Sequence, residues 1–131
     1  MPLTLTAAAL RAMCSDATRA APNEACGLLL GTTTNIHTAQ PTANVATDPT
    51  RHFEVNPAAL IAAHRAARDG GPQVVGYFHS HPNGLARPSA TDAASASGDG
   101  RIWAIVANGE VTCWRDAPSG FEPLSYGVVE G

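Results

Sequence analysis

Apolar positions recur along the chain with periods that predict helices in some segments and strands in others. Leu10 and Met13 lie at helical spacing behind Thr6, a good capping residue, which predicts a helix running to about Arg19. NPAALIAAHRAARDGG (56–71) has Asn as cap, Pro in the first turn, late Arg residues and a terminal Gly pair, so it predicts a second helix. The apolar runs EACGLLLG (24–31) and QVVGYFHSH (73–81) are bounded by turn residues and predict buried strands.

The remaining segments are shorter and more varied. TNIHTAQPTANV (34–45) alternates weakly and predicts a strand, and SATDAASAS (89–97) predicts a short helix. RIWAIVA (101–107) and EVTCWR (110–115) flank Asn108-Gly109, a strong hairpin signal, and FEPLSYGVV (121–129) is a candidate last strand. No repeat, linker or low-complexity tract divides the chain. The pattern predicts one α/β domain over residues 1–131, with a mixed sheet flanked by helices.

Composition narrows the function classes. A chain of 131 residues can bury a core without a structural metal, so a metal would serve chemistry. The net charge is -3, the sequence has no Lys, and no basic run appears, which argues against a nucleic-acid partner. No segment reaches membrane-spanning length and the N-terminus lacks the apolar run of a signal peptide, so we expect a cytoplasmic protein without a membrane partner.

The three cysteines are odd in number and far apart, which predicts no disulfide framework and no cysteine-based zinc site. Buried apolar packing is the ordinary role for Cys14, Cys26 and Cys113. Cys26 stands close to other candidate site residues, so a reactive thiol stays open there.

The densest chemistry lies in HSHPNGLARPSATD, residues 79–92. Side chains two apart in a strand point to the same face, so His79 and His81 converge on one point. A turn follows, and Asp92 falls on the first turn of the predicted short helix, where it can add a third ligand. Two imidazoles and one carboxylate suit zinc, and three protein ligands leave a position open, as in catalytic sites.

Each of these features also has an ordinary structural explanation. Paired histidines at a strand end can form a polar rim. Ser89 and Asp92 have the spacing of a capping box. Glu24, considered alone, is typical of a solvated carboxylate at the start of a strand. The residues by themselves leave both interpretations open.

The combination is more specific than its parts. HxH, seven residues and SxxD, with Glu24 far upstream before a Gly-containing apolar strand, resembles the JAMM (MPN-plus, JAB) metallopeptidase family, in its small bacterial type. The resemblance implies a single MPN/JAB-like α/β domain with a curved mixed sheet and a cytidine-deaminase-like architecture. It also implies that His79, His81 and Asp92 hold zinc, that Glu24 is the acid-base residue, and that Ser89 holds the oxyanion or positions the attacking water.

The same resemblance implies a substrate class, namely an amide bond at or near the C-terminal Gly-Gly of a ubiquitin-like protein. The compact chain favours a sulfur-carrier-type protein, whose extended tail would be held by strand addition, with Arg87 as a groove contact. The alternatives are a non-catalytic MPN-like binding module and a zinc hydrolase or deaminase acting on a small molecule, although the deaminase signature HxE and PCxxC is absent. An iron oxygenase fits the helical segments poorly, and a hydrolase based on Cys26 or Ser80 is a further alternative.

Overall fold

The computed structural model describes residues 3–82 and 84–131, and in that part of the chain three helices flank one sheet of eight strands. The helices are α1 (Ala7–Ala20), α2 (Pro57–Arg68) and α3 (Ala90–Ser95). The strands are β1 (Leu3–Thr6), β2 (Cys26–Thr32), β3 (Asn35–Thr42), β4 (Gln73–Ser80), β5 (Ile102–Ala107), β6 (Glu110–Ala117), β7 (Gly120–Leu124) and β8 (Tyr126–Val129). The predicted turn after Pro82 includes Asn83, which lies outside the described residues.

The sheet is mixed, which confirms the predicted fold class. Its strand order is β7-β6-β5-β4-β2-β3-β1-β8. β4 pairs with β2 antiparallel and with β5 parallel, and β1 pairs parallel with both β3 and β8. β4 therefore lies inside the sheet, with hydrogen-bonded neighbours on both sides.

The predicted capping signals operate as expected. The Thr6 hydroxyl accepts a hydrogen bond from the Ala9 amide at 3.1 Å, and Asn56 accepts one from the Ala58 amide at 2.9 Å with Pro57 in the first turn. The hairpin turns at Asn108-Gly109, where both residues have positive φ, as a type I′ turn requires.

The predictions for β2 and for the last strand need correction. β2 begins at Cys26, so Glu24 and Ala25 precede the regular ladder instead of opening it. The segment predicted as one last strand forms two: β7 continues the hairpin beside β6, whereas β8 pairs with β1 at the opposite edge. The mixed apolar and polar residues over 121–129 give no sign of which neighbouring strand each half will pair with.

Both faces of the sheet are covered. α1 packs on one face over the larger core, which includes Met13, Leu29, Ile36 and Phe78. α2 covers a smaller cluster on β2 and β4 made by Leu28, Leu30 and Val74. No helix among the described residues is long and apolar enough to cross a membrane.

The arrangement of β2 and β4 determines where the candidate site residues meet. Cys26 at the start of β2 is paired with His79 near the end of β4. On the other side, Gly76 lies so close to the Ile102 carbonyl that a Cβ would clash with it, which lets β5 approach β4. The end of β4, the segment before β2 and the helix after β4 thus share one region of the molecule.

Candidate metal centre

The two histidines of β4 meet as the strand pleat predicts. His79 is fully buried and His81 nearly so, and their Nε2 atoms lie 3.0 Å apart. Ser80 is on the opposite face, where its hydroxyl accepts a hydrogen bond from the Ala25 amide. The structure therefore directs both imidazoles to one point.

Asp92 completes this cluster from the first turn of α3. Its Oδ1 lies 3.0 Å from His79 Nε2, and its Oδ2 lies 3.1 Å from His81 Nε2. The capping box exists as well: the Asp92 amide donates to the Ser89 hydroxyl at 3.0 Å, and the Ser89 amide donates to Asp92 Oδ2 at 2.9 Å. The two explanations offered by the sequence are compatible, because one carboxylate caps the helix and faces both histidines.

The donor set fits a tetrahedral divalent cation. Ligand atoms from the three side chains lie within 4.8 Å of one another, and the nearest pairs are 3.0–3.1 Å apart. Zinc bonds of about 2.0–2.1 Å at tetrahedral angles separate the ligand atoms by about 3.3 Å, so only a slight expansion is needed. His81 Nδ1 donates to the Leu85 carbonyl at 2.7 Å, so a metal that displaces the Nε2 proton would find the Nε2 lone pair directed at the cluster.

Protonation in the cluster follows from burial and from mutual hydrogen bonds. Burial lowers the pKa of His79, which favours the neutral imidazole that metals bind. For Asp92, burial would raise the pKa, but hydrogen bonds with His79 and His81 and from the Ser89 amide outweigh it and hold the carboxyl well below its usual pKa. Burial would also lower the pKa of His81, yet its bonds to Asp92 and Leu85 prevail and raise it.

Aromatic rings enclose His79 on two sides. Phe53 stacks on the imidazole with centroids 4.3 Å apart and planes at 14°, and Trp103 meets it edge-on at 5.6 Å. His79 Nδ1 is buried and has no hydrogen-bond partner among the described residues. The His79 ring is therefore held by packing, whereas the His81 ring is held by its hydrogen bond to a backbone carbonyl. No local pattern predicts that Phe53, in a loop 26 positions upstream, lies on this histidine.

Glu24 lies next to the cluster and is only 7 % exposed, so the solvated alternative for this residue is wrong. Its amide donates to the Pro49 carbonyl at 2.7 Å, and its carbonyl accepts from Asn44 Nδ2 at 2.9 Å. Burial raises the pKa of Glu24 from 4.5 to about 7, with His81 opposing and Asp92 adding to the rise. A carboxyl with this pKa exchanges its proton near neutral pH.

An open cleft of about 430 Å³ connects these groups to solvent. Glu24, His81 and Ser89 line it, and its rim includes Arg51 and Arg87. Leu85, also on the rim, is 57 % exposed although its backbone carbonyl is bound to His81. The cleft therefore combines an apolar contact and positive charge beside the histidines.

The geometry does not support a serine or cysteine nucleophile. Cys26 is fully buried, and burial raises its thiol pKa further above neutrality, with a hydrogen bond between its sulfur and the Thr42 side chain opposing the rise. The Ser80 hydroxyl is buried on the face opposite the histidines. Neither group meets the requirement of a nucleophile next to a general base and open to substrate.

Comparison with known proteins agrees with the resemblance seen in the sequence. Residues 6–117 match the Prok-JAB family, described as prokaryotic homologs of the JAB domain. The chain is 34% identical over 110 residues to the desampylase of Haloferax volcanii, and this alignment covers 82% of this chain and 79% of that protein. It is 35% identical over 78 residues to a probable TtuB-protein conjugate cleaving protease of Thermus thermophilus, which covers 60% of this chain and 52% of that protein.

Solved structures show the same fold. Protein DSY2949 from Desulfitobacterium hafniense superposes with a TM-score of 0.86 at 30% identity, over 98% of this chain and 94% of that one. AF2198, a JAB1/MPN domain protein from Archaeoglobus fulgidus, superposes with a TM-score of 0.68 at 20% identity, over 98% of both chains. The chain therefore belongs to the prokaryotic JAB family and is a metallopeptidase of the JAMM type.

Proposed function

We propose that this protein is a zinc-dependent peptidase or isopeptidase that hydrolyses an amide bond at or near the C-terminal Gly-Gly of a ubiquitin-like protein of the sulfur-carrier type. The observation that carries the proposal is the convergence of His79, His81 and Asp92 beside the buried Glu24, with His81 and Glu24 lining an open cleft. A binding module has no need for a buried donor cluster of this kind next to an acid-base group.

Each side chain has a definable task. His79, His81 and Asp92 would hold the zinc ion, which when bound would acidify a water molecule and polarise the substrate carbonyl. Glu24, whose buried carboxyl has a raised pKa of about 7 in the metal-free chain, would be suited to accept a proton from the attacking water and to return it to the departing amine. The Ser89 hydroxyl accepts a hydrogen bond from the Asp92 amide, and because Ser89 lines the cleft, its own O–H would be available to the developing oxyanion or to the attacking water.

The relatives and the cleft together suggest the substrate class. One relative is named a desampylase and another a probable TtuB-protein conjugate cleaving protease, so both names concern modified protein conjugates. An extended tail with glycine at its narrowest point can pass the buried histidines, because glycine allows the closest backbone approach. Exposed Leu85 and the rim residues Arg51 and Arg87 would then contact the body of the carrier protein.

The test is intact-mass analysis of carrier precursors and of carrier-protein isopeptide conjugates after incubation with the enzyme. Wild type should release a defined fragment, lose this activity on chelation and regain it with added zinc. Glu24→Gln should keep zinc and lose more than about a hundredfold in kcat, since it removes the general base but none of the ligands. Glu122→Gln, on the exposed strand β7, is the matched control and should act as wild type.

Two results would contradict the proposal. Substantial turnover by Glu24→Gln would show that another group moves the proton. Chelator-resistant cleavage would show that the reaction does not use the His79, His81 and Asp92 cluster.

A further inference from the structure

Glu24 has an unusual place for an acid-base residue, because it lies outside the regular ladder of the sheet. β2 begins two residues later at Cys26, whose partner on β4 is His79. The β2–β4 ladder therefore does not itself fix the backbone of Glu24. Since general bases act only within hydrogen-bond reach of the proton, other contacts have to hold this residue.

Ser80 provides one of these contacts. Its hydroxyl accepts the Ala25 amide at 2.7 Å, and its own amide donates to the Ala25 carbonyl at 3.0 Å. Both backbone polar groups of the residue after Glu24 are thus bound by a single residue of β4. Ser80 is 2 % exposed, so no water competes freely for these bonds.

The position of Ser80 in the sequence links these bonds to the two histidines. Ser80 stands between His79 and His81 and points to the opposite face of the strand. The backbone that presents the two imidazoles on one side therefore also fixes the Glu24 segment from the other side. Ser80 therefore joins the Glu24 segment directly to the strand that carries both histidines.

Asn44 supports the same segment from the loop between β3 and α2. Its Nδ2 donates to the Glu24 carbonyl at 2.9 Å and to the His52 carbonyl at 2.9 Å. Its Oδ1 accepts from the Ala46 amide at 3.0 Å and the Glu54 amide at 3.1 Å. The side chain is thus fully engaged, and it joins the loop to the backbone of Glu24.

We propose that Ser80 is the positioning residue for Glu24, with Asn44 as its second support. This inference rests on the proposed role of Glu24 in proton transfer. Ser80 acts on the placement of the carboxylate and leaves the donor atoms of the metal cluster unchanged. Removal of the Ser80 hydroxyl should consequently slow proton transfer by Glu24.

The test compares Ser80→Ala, Ser80→Thr and the control Ser15→Ala, which removes an exposed hydroxyl on α1. Ser80→Ala should lower kcat by about ten- to a hundredfold, because small displacements of a catalytic group are costly, with KM and zinc affinity within about threefold of wild type. Ser80→Thr keeps the hydroxyl and should restore most of kcat. Ser15→Ala should match wild type in all three quantities.

A second readout does not depend on activity. In the zinc-loaded chain, NMR hydrogen exchange of the Ala25 amide should be faster in Ser80→Ala than in wild type, and should be slowed again in Ser80→Thr. Unchanged exchange overturns the proposal, as does a kcat loss matched by an equal loss of zinc affinity. If wild type cleaves no conjugate, the proposed function fails, while the exchange result still decides whether Ser80 holds the segment.

Asn44→Asp covers the case in which Ser80→Ala does not fold. The aspartate keeps the acceptor oxygen and loses the donor to the Glu24 carbonyl. Asn44→Asp should lower kcat with zinc affinity retained. An unchanged kcat would overturn the role of Asn44 in holding the Glu24 segment.

Discussion

Glu24 illustrates how burial gives a common side chain an uncommon proton affinity. A solvated glutamate is ionised at neutral pH, but here burial raises its pKa to about 7. The carboxylate lies near Asp92, which is held ionised by its hydrogen bonds. The two carboxyl groups of the site therefore differ in pKa, as the proposed acid-base role of Glu24 and ligand role of Asp92 require.

The raised pKa of Glu24 has a consequence for folding. A carboxyl whose pKa is higher in the folded state binds its proton more tightly there, so its favourable contribution is complete below pH 4.5 and is lost as the pH rises through about 7. In metal-free protein, Glu24→Gln should thus be more stable relative to wild type at pH 8 than at pH 5. The difference in the free energy of unfolding between variant and wild type should grow by about 1–3 kcal/mol between these two pH values. Urea unfolding in chelator at the two pH values measures the difference.

Glu122→Gln is the control for the loss of one negative charge, since its side chain is exposed on β7. A Glu24→Gln effect of the same size at both pH values would mean that the folded protein does not hold the proton on Glu24.

At the scale of elements, α3 is the least stable element of the site by itself, and contacts with the rest of the fold stabilise it. Six residues are too few for a helix to be stable alone, yet α3 carries Asp92. The capping box fixes its first turn. Just beyond its end, Asp116 of β6, 2 % exposed, accepts the amides of Ser97 and Gly98, each at 3.1 Å.

We expect Asp116→Ala to loosen this attachment and shift Asp92. Zinc affinity should fall by about tenfold or more, the range seen when groups that orient metal ligands are removed. Competition with a chromophoric chelator measures it. Asp69→Ala, which removes an exposed carboxylate at the end of α2, should leave the affinity unchanged, and an unaltered affinity in Asp116→Ala would show that α3 keeps its position without β6.

The elements also show what a single sequence can predict. Caps at Thr6 and Asn56 and the Asn108-Gly109 hairpin follow local rules, and the structure has them where expected. The start of β2 and the division of residues 121–129 depend on neighbours distant in sequence, so periodicity misplaced them. The convergence of His79, His81 and Asp92 came from strand pleat and turn, whereas Phe53, Ser80 and Asn44 entered the site through tertiary contacts that no local pattern encodes.

At the scale of the whole molecule, the cluster joins parts of the chain that meet only on folding. β4 is an interior strand of the eight-stranded sheet. α3 reaches the end of β4 only when the loop after β4 and the hairpin of β5 and β6 are in place. An unfolded chain cannot present His79, His81 and Asp92 together, so a metal that binds them binds the native state selectively.

Metal binding should therefore raise the thermal stability of the entire protein. Free zinc at a hundredfold excess over its Kd stabilises the native state by about 2.7 kcal/mol, which corresponds to a Tm increase of about 10 °C for a domain of this size. Differential scanning calorimetry with zinc and with chelator measures the shift. Asp92→Asn should abolish most of it, because an amide oxygen is a poor substitute for the carboxylate, while His37→Ala, which removes an exposed imidazole on β3, should keep it. A zinc-dependent shift that survives in Asp92→Asn would place the stabilising ion elsewhere on the protein.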